Sequence, residues 1–259
     1  MTTAPATDCV VVLHAHPDDE AIFTGGSIAL LAADGVRVVV VFATVGSHDP
    51  LDALAAVRTA EARAACALLG AQRVEMLGYA DSGLDGRAAV PGATALCAAP
   101  VAELAERLAA LLRDERATAL VVYDDGGIYG HPDHLVVHHA GHAAAGLAGV
   151  PTVYECTVDR EYLHFVETHL VGHAIESLLG MEVEATNLAP LGVPTVLVST
   201  TVDVRPVIET KRAAMAAHAS QIAAGSETLT MPAATFEGVY GFEWFVRKGP
   251  QGPLERHAF

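Results

Sequence analysis

The chain has 259 residues, 52% hydrophobic and 18% charged, which is enough apolar side chain for a large core and the wrong composition for disorder. Asp and Glu outnumber Lys and Arg by 31 to 15, a formal net charge of −16, which argues against nucleic-acid or anionic-membrane partners because both need a basic face. Cys9, Cys66, Cys97 and Cys156 form no CxxC pair and read as reduced thiols, excluding a zinc ribbon or a disulfide scaffold.

The first eight residues lack the basic and apolar segments of a signal peptide. No uncharged apolar stretch reaches the roughly 18 residues that a membrane span needs. A soluble, cytoplasmic protein is the expectation. In chain order, Cys9–Leu13 is a β-branched apolar run and reads as a buried strand. The polar stretch HAHPDDE (His14 to Glu20) follows at once. A helix is predicted from about Ala21 through Ala33, ending at Asp34-Gly35. Val36–Ala43 is a second buried strand. Asp52–Leu69 reads as a helix with Gly70 as its stop signal. Arg73–Leu77 is a third strand, and 80–100 is rich in loop. A helix over Val101–Leu112, a strand over Ala119–Tyr123 and a helix over His134–Ala145 come next. Val153–Val158 and Val193–Val198 read as later strands, Glu161–Met181 as a moderately amphipathic helix and Lys211–Ala223 as a final helix. The tail from Gly249 reads as loose.

Strand and helix alternate, and the strands are continuously apolar. That pattern predicts an α/β fold: a mostly parallel sheet between two helical layers, over one domain spanning 1–259. In such sheets ligands sit beyond the carboxyl ends of the strands. HPDDE lies beyond the first strand and DDGGIYGHPDH (Asp124 to His134) beyond the fourth, so two dense polar clusters fall on one sheet edge.

A catalytic zinc takes three ligands from His and Asp or Glu and leaves a position open for water. His16 and Asp19 at a strand-to-helix turn, with His134 at a helix start, supply such a set. Other divalent transition metals suit the same donors. Asp18 stands between two ligands, where it can take a proton from water. His131 precedes His134 by three residues and can protonate a leaving amine or stabilise an oxyanion, with Asp133 placed to accept its other ring N–H. Taken alone, Asp-Asp-Glu at a helix start is an ordinary N-cap, and His138, His139 and His142 read as helix-face residues. Leu135 stands where a zinc-protease HExxH motif requires Glu, and no GxGxxG follows the first strand. His14 reads as structural, Pro17 as a stiffener of the turn, and Glu20 as support for the helix start or the ligands.

AHPDDE (Ala15–Glu20) and YGHPDH (Tyr129–His134) resemble the two signature motifs of the PIG-L/LmbE-like zinc-dependent N-deacetylases. RTAEARAACALLGA (Arg58–Ala71), YADSGL (Tyr79–Leu84) and KRAAMAAHASQ (Lys211–Gln221) are similar to further family segments, in the same order. The resemblance implies a Rossmann-like domain, with His16, Asp19 and His134 on zinc. It also implies Asp18 as general base, and His131 as general acid or electrostatic catalyst with Asp133 behind it. Tyr129 is implied as an oxyanion donor, and Arg58 and Asp81 as holders of sugar hydroxyls. The implied reaction is removal of acetyl from an N-acetylated amino sugar or glycoconjugate. The rivals are an amidase of a mycothiol-type thiol conjugate or of an antibiotic intermediate, and a non-catalytic sugar- or metal-binding module. The sequence leaves the oligomeric state open.

Overall fold

The computed structural model describes residues 8–86, 90, 92–171 and 191–259. The first half runs β1 (Cys9–His14), α1 (Asp19–Phe23), α2 (Gly25–Ala33), β2 (Arg37–Thr44), α3 (Ala53–Leu68), β3 (Arg73–Tyr79), α4 (Val101–Glu115) and β4 (Ala119–Tyr123). Then come α5 (Gly127–Gly130, an irregular turn), α6 (Pro132–Ala148), β5 (Thr152–Thr157) and α7 (Arg160–Val166). The chain closes with β6 (Thr200–Asp203), α8 (Ile208–Ala217), α9 (Glu227–Thr230), α10 (Ala233–Tyr240) and β7 (Phe242–Lys248).

Among the described residues seven strands form one sheet in the order β3-β2-β1-β4-β5-β7-β6. β1 to β5 are parallel, while β7 runs antiparallel to both β5 and β6. Val10, Val11 and Val38 to Val41 are wholly buried, as central parallel strands require. On one face α4 packs against α6, and on the other α8 packs against α1, α2 and α3. In α4 the buried residues Leu104, Ala105, Leu108, Ala109 and Leu112 recur at helical spacing, so one stripe faces the core. The predicted α/β architecture is the observed one. The strand order reverses between β1 and β4, and both polar clusters leave the sheet at that point.

Several predicted elements differ. The helix over 21–33 is two helices joined at Thr24. There the ring of His14 holds the threonine hydroxyl at 2.8 Å. The strand predicted at Val193–Val198 is a loop and a tight helical turn with Val196 exposed; Pro194 cannot donate to a ladder, and the strand starts at Thr200. The helix predicted over 211–223 begins at Ile208 and ends at Ala217, because His218 turns away to a buried partner. Of the helix predicted over 161–181, Arg160–Val166 is α-helical and Glu167–Val171 a wider π turn; residues 172–190 lie outside the described residues. The tail is not loose. Leu254 is fully buried, and the Phe259 amide donates to the Thr201 carbonyl at 2.8 Å.

No element was predicted for 224–248, where the structure has α9, α10 and β7. β7 brings in Glu243, whose carboxylate accepts from the amides of Gly26 and Ser27 at 2.8 Å each. It thereby caps α2, whose first turn has no side-chain cap of its own. Lys211 of α8 neutralises Glu243 at 2.7 Å, with both side chains buried.

Candidate metal centre

β1 ends at His14, and the chain turns through Ala15-His16-Pro17-Asp18 into α1. Asp18 has φ of 120°, a left-handed conformation that costs a non-glycine residue about 1–3 kcal/mol and persists only when held. Glu20 and Arg58 hold it. The Asp18 amide donates to Glu20 Oε2 at 2.9 Å, and Glu20 Oε1 meets His218 Nε2 at 2.6 Å. Arg58, from α3, lies 3.1 Å from the Asp18 carboxylate and also donates to the carbonyls of Pro17 and Gly46. Gly46 has φ of 67°, which favours glycine, and a Cβ there would come within 2.4 Å of the guanidinium.

A second strained residue shapes the other half of the site. Ile128 has φ of 63°, with its side chain buried and its amide bonded to Asp124 at 2.8 Å. That turn carries Tyr129 toward the first cluster, with its ring 5.1 Å from that of His134. His131 then caps α6: its Nδ1 accepts from the Asp133 amide at 3.1 Å.

His16, Asp19 and His134 converge. His16 Nδ1 lies 3.3 Å and His134 Nε2 3.5 Å from the same Asp19 oxygen. A tetrahedral zinc site with bonds near 2.0–2.1 Å has ligand-to-ligand edges of about 3.4 Å. His134 Nδ1 bonds the Gly127 carbonyl at 3.1 Å, so its ring proton sits there and Nε2 carries the free lone pair. That Nε2 is buried and has no hydrogen-bond partner among the described residues. The donor set therefore fits a divalent transition metal.

The supporting groups are largely ones the sequence reading did not single out. Tyr123, the last residue of β4, donates to Asp19 Oδ2 at 2.6 Å and stacks on the His134 ring at 3.9 Å between centroids. Its hydroxyl also accepts from the Ala15 amide at 2.7 Å and meets His14 Nδ1 at 3.2 Å. Burial pushes His14 down to about 4, so it is neutral, in keeping with a structural role. Ser82 binds the Asp133 carboxylate through its amide at 3.0 Å and its hydroxyl at 2.5 Å.

Asp133 departs from its expected role. Its carboxylate faces His16 Nε2 at 3.3 Å and not the ring of His131, which it meets only through its own amide. The acid thus backs a histidine of the candidate metal set, an arrangement that would fix the imidazole tautomer of a ligating histidine. Asp81 stands on the same side, 3.6 Å from His16 Nε2, its carboxylate also capped by the Gly83 amide at 2.8 Å. Arg58 is buried and spends its terminal nitrogens on Asp18 and two carbonyls.

The charges are strongly perturbed. Burial opposes a positive His16, yet Asp81, Asp133 and Asp19 raise its pKa well above the usual histidine value. A proton and a metal cation compete for this same negative pocket. The Asp18 carboxyl is pushed up to about 7 by burial, against the pull of Arg58 and with a further push from Asp19. His131 is pushed down to about 3 by burial and by His16 and His134, so its resting form is neutral. With Nδ1 accepting, its single proton sits on Nε2. Burial and the surrounding carboxylates hold Tyr129 well above the usual tyrosine value, leaving its hydroxyl a donor.

The family model described as PIG-L, GlcNAc-PI de-N-acetylase, matches residues 11–145, which include every one of these groups except His218. The 1D-myo-inositol 2-acetamido-2-deoxy-alpha-D-glucopyranoside deacetylase of Actinosynnema mirum is 32% identical, over 99% of this chain and 98% of that one. Among solved structures, N,N'-diacetylchitobiose deacetylase from Pyrococcus horikoshii aligns with a TM-score of 0.59 at 20% identity, covering 94% of this chain and 85% of that chain. A 4-carboxy-2-hydroxymuconate hydratase from Pseudomonas putida aligns almost as well, with a TM-score of 0.58 at 18% identity over 95% and 98% of the two chains. Likeness of fold alone therefore does not select the reaction.

Proposed function

The chain belongs to the PIG-L, GlcNAc-PI de-N-acetylase, family, a metal-dependent deacetylase by descent, and on that premise we propose that it releases acetate from a 2-acetamido-2-deoxyglucoside. An inositol glycoside, of the kind carried in the name of the Actinosynnema relative, is the proposed substrate. The observation that carries the reading is the convergence of His16, Asp19 and His134, with ligand atoms within 4.8 Å of one another and both histidines 3.3–3.5 Å from Asp19 Oδ2, with the Asp18 carboxylate on the same turn.

In this reading those three residues hold zinc. A divalent cation there supplies a Lewis acid for the amide carbonyl and for water. Asp18, with a pKa close to neutrality, removes a proton from the attacking water. As oxygen adds to the acetyl carbon, negative charge develops on the carbonyl oxygen. The Tyr129 hydroxyl and the neutral His131, through Nε2–H, donate hydrogen bonds to it. The C–N bond then breaks, and the proton taken by Asp18 passes to the departing nitrogen, giving acetate and a free amine. The sequence reading sends that proton from a charged His131. The low pKa of His131 favours Asp18 as the carrier in both directions. Asp133 holds His16, Tyr123 holds Asp19, and Glu20 with Arg58 holds Asp18. Asp81 lines the same pocket and is proposed, with the 80–100 loop, to meet the sugar.

No described helix is long and apolar enough to cross a membrane. A cytoplasmic enzyme with one catalytic domain over 1–259, acting on a small soluble glycoconjugate, is the proposed setting. The test is release of the free amino-sugar amine by the zinc-loaded protein from N-acetylglucosaminyl-inositol, from diacetylchitobiose and from a cysteine-derived thiol conjugate of the same sugar. Fastest turnover is expected on the inositol glycoside. Turnover of the thiol conjugate alone would replace this reading with the amidase one. Asp18→Asn is expected to lower kcat by at least about a hundredfold, and an unchanged rate would remove Asp18 from the chemistry.

A further inference from the structure

We infer that the chain holds a second divalent-metal site, formed by His138 and His142 of α6 with Glu155 of β5, separate from the catalytic one. Three ligand-bearing side chains meet there, and their candidate ligand atoms all lie within 4.8 Å of one another. Glu155 Oε1 is 2.8 Å from His142 Nε2 and 3.9 Å from His138 Nδ1. His138 Nδ1 gives its ring proton to the Tyr123 carbonyl at 3.0 Å, so metal binding at that nitrogen requires the proton to move to Nε2. These separations bracket the edge of about 3.4 Å expected around a tetrahedral zinc.

The surroundings favour an ion over a chance cluster. Glu155 is fixed between β4 and β7 by its backbone pairing with Val122 and Val246, and its carboxylate is buried. Burial raises its pKa, but His142 and Lys248 outweigh that and hold it ionised. Burial lowers the pKa of His138, which keeps its imidazole neutral and able to bind. Lys248 lies 3.3 Å from Oε2, leaving Oε1 to face the histidines. The His142 side chain is 31% exposed and offers the ion a route from solvent. Two imidazoles and one carboxylate suit a borderline ion such as zinc, and binding displaces the protons that now link His138 to Tyr123 and His142 to Glu155.

The site also has a place in the architecture. His134, His138 and His142 recur every four residues along one face of α6, about 6 Å apart per step. An ion on the outer two pins that helix to β5, and with it the inner histidine. Its role is to fasten α6 to β5, with no part in the chemistry; the inference stands whether or not the substrate proposed above is correct.

The experiment counts metal in the zinc-loaded enzyme equilibrated against graded zinc, with His142→Ala, Glu155→Gln and His134→Ala in parallel. The native protein is expected to hold two equivalents. His142→Ala and Glu155→Gln are expected to keep one equivalent and their deacetylase activity, binding the second at least about tenfold more weakly. His134→Ala is expected to lose the other equivalent. Lys248→Ala, which removes the competing cation from an exposed position, is expected to tighten the second site. One equivalent in the native protein at tenfold zinc excess overturns the inference, as do two equally tight equivalents in both His142→Ala and Glu155→Gln.

Discussion

Replacing Arg58 by Leu is expected to move the acid limb of the kcat/KM profile to higher pH. The guanidinium lies 3.1 Å from the Asp18 carboxylate, with side-chain exposures of only 8% and 19%. At an effective dielectric of about 20 the bare Coulomb term is about 5 kcal/mol, an upper bound. An adjacent arginine typically lowers a carboxyl pKa by about 1–3 units, or roughly 1.4–4 kcal/mol. Loss of the cation raises the pKa of Asp18, so the base is ionised only at higher pH. Starting from about 7, the fraction ionised at pH 7 falls from one half to between about a tenth and a thousandth, and activity recovers in alkali. A cation in the metal site lowers the limb in both enzymes and leaves the difference. Arg58→Lys keeps the charge and is expected to hold the limb within about half a unit of native. The assay is the kcat/KM profile from pH 5 to 10 for the three zinc-loaded proteins, with melting temperatures to confirm folding. A Leu variant whose rate falls uniformly, its limb unmoved, would refute the reasoning and return Arg58 to the substrate.

Chelation followed by desalting should abolish acetate release, and one equivalent of zinc or cobalt should restore it; full activity without metal would overturn the site. Lys211→Met leaves Glu243 charged and uncompensated in the interior, and is expected to destabilise the fold by about 3–5 kcal/mol, read as a lowered urea midpoint. Leu254→Ala is expected to cost about 2–5 kcal/mol by the same measurement, because the tail residue it truncates is fully buried; no change would mean the tail is not docked. Phenylalanine at Tyr123 removes the 2.6 Å donor to Asp19 while keeping the ring on His134, and should weaken zinc about 10–100-fold in a competition titration with a chelating dye.

Much was written locally in the sequence. Runs such as Val38–Val41 declare a buried strand through composition alone, and the alternation of strand and helix declares a mostly parallel sheet. Two polar clusters after two such strands must fall on one edge of it. The trio His16, Asp19 and His134 was legible for that reason: spacing within each cluster, plus topology, brings the donors together.

What the tertiary structure decided is everything that depends on partners distant in the chain. Asp133 and His131 are neighbours in sequence, which invites pairing them. The folded backbone turns the carboxylate to His16 instead, 117 residues away. Glu20 meets His218 across 198 residues, and Glu243 caps a helix 216 residues before it. No periodicity reports such pairs, because a buried polar group is satisfied by whichever donor packing supplies. The same holds for charge. A list of residues assigns ordinary pKa values to Asp18 and His131, while burial and the neighbouring ions push one up to about 7 and the other down to about 3. The sequence by itself determined which atoms can bind a metal and move a proton. Which ring nitrogen of His134 keeps a free lone pair, and which carboxyl sits near neutral pH, was decided by contacts that exist only once the sheet has formed.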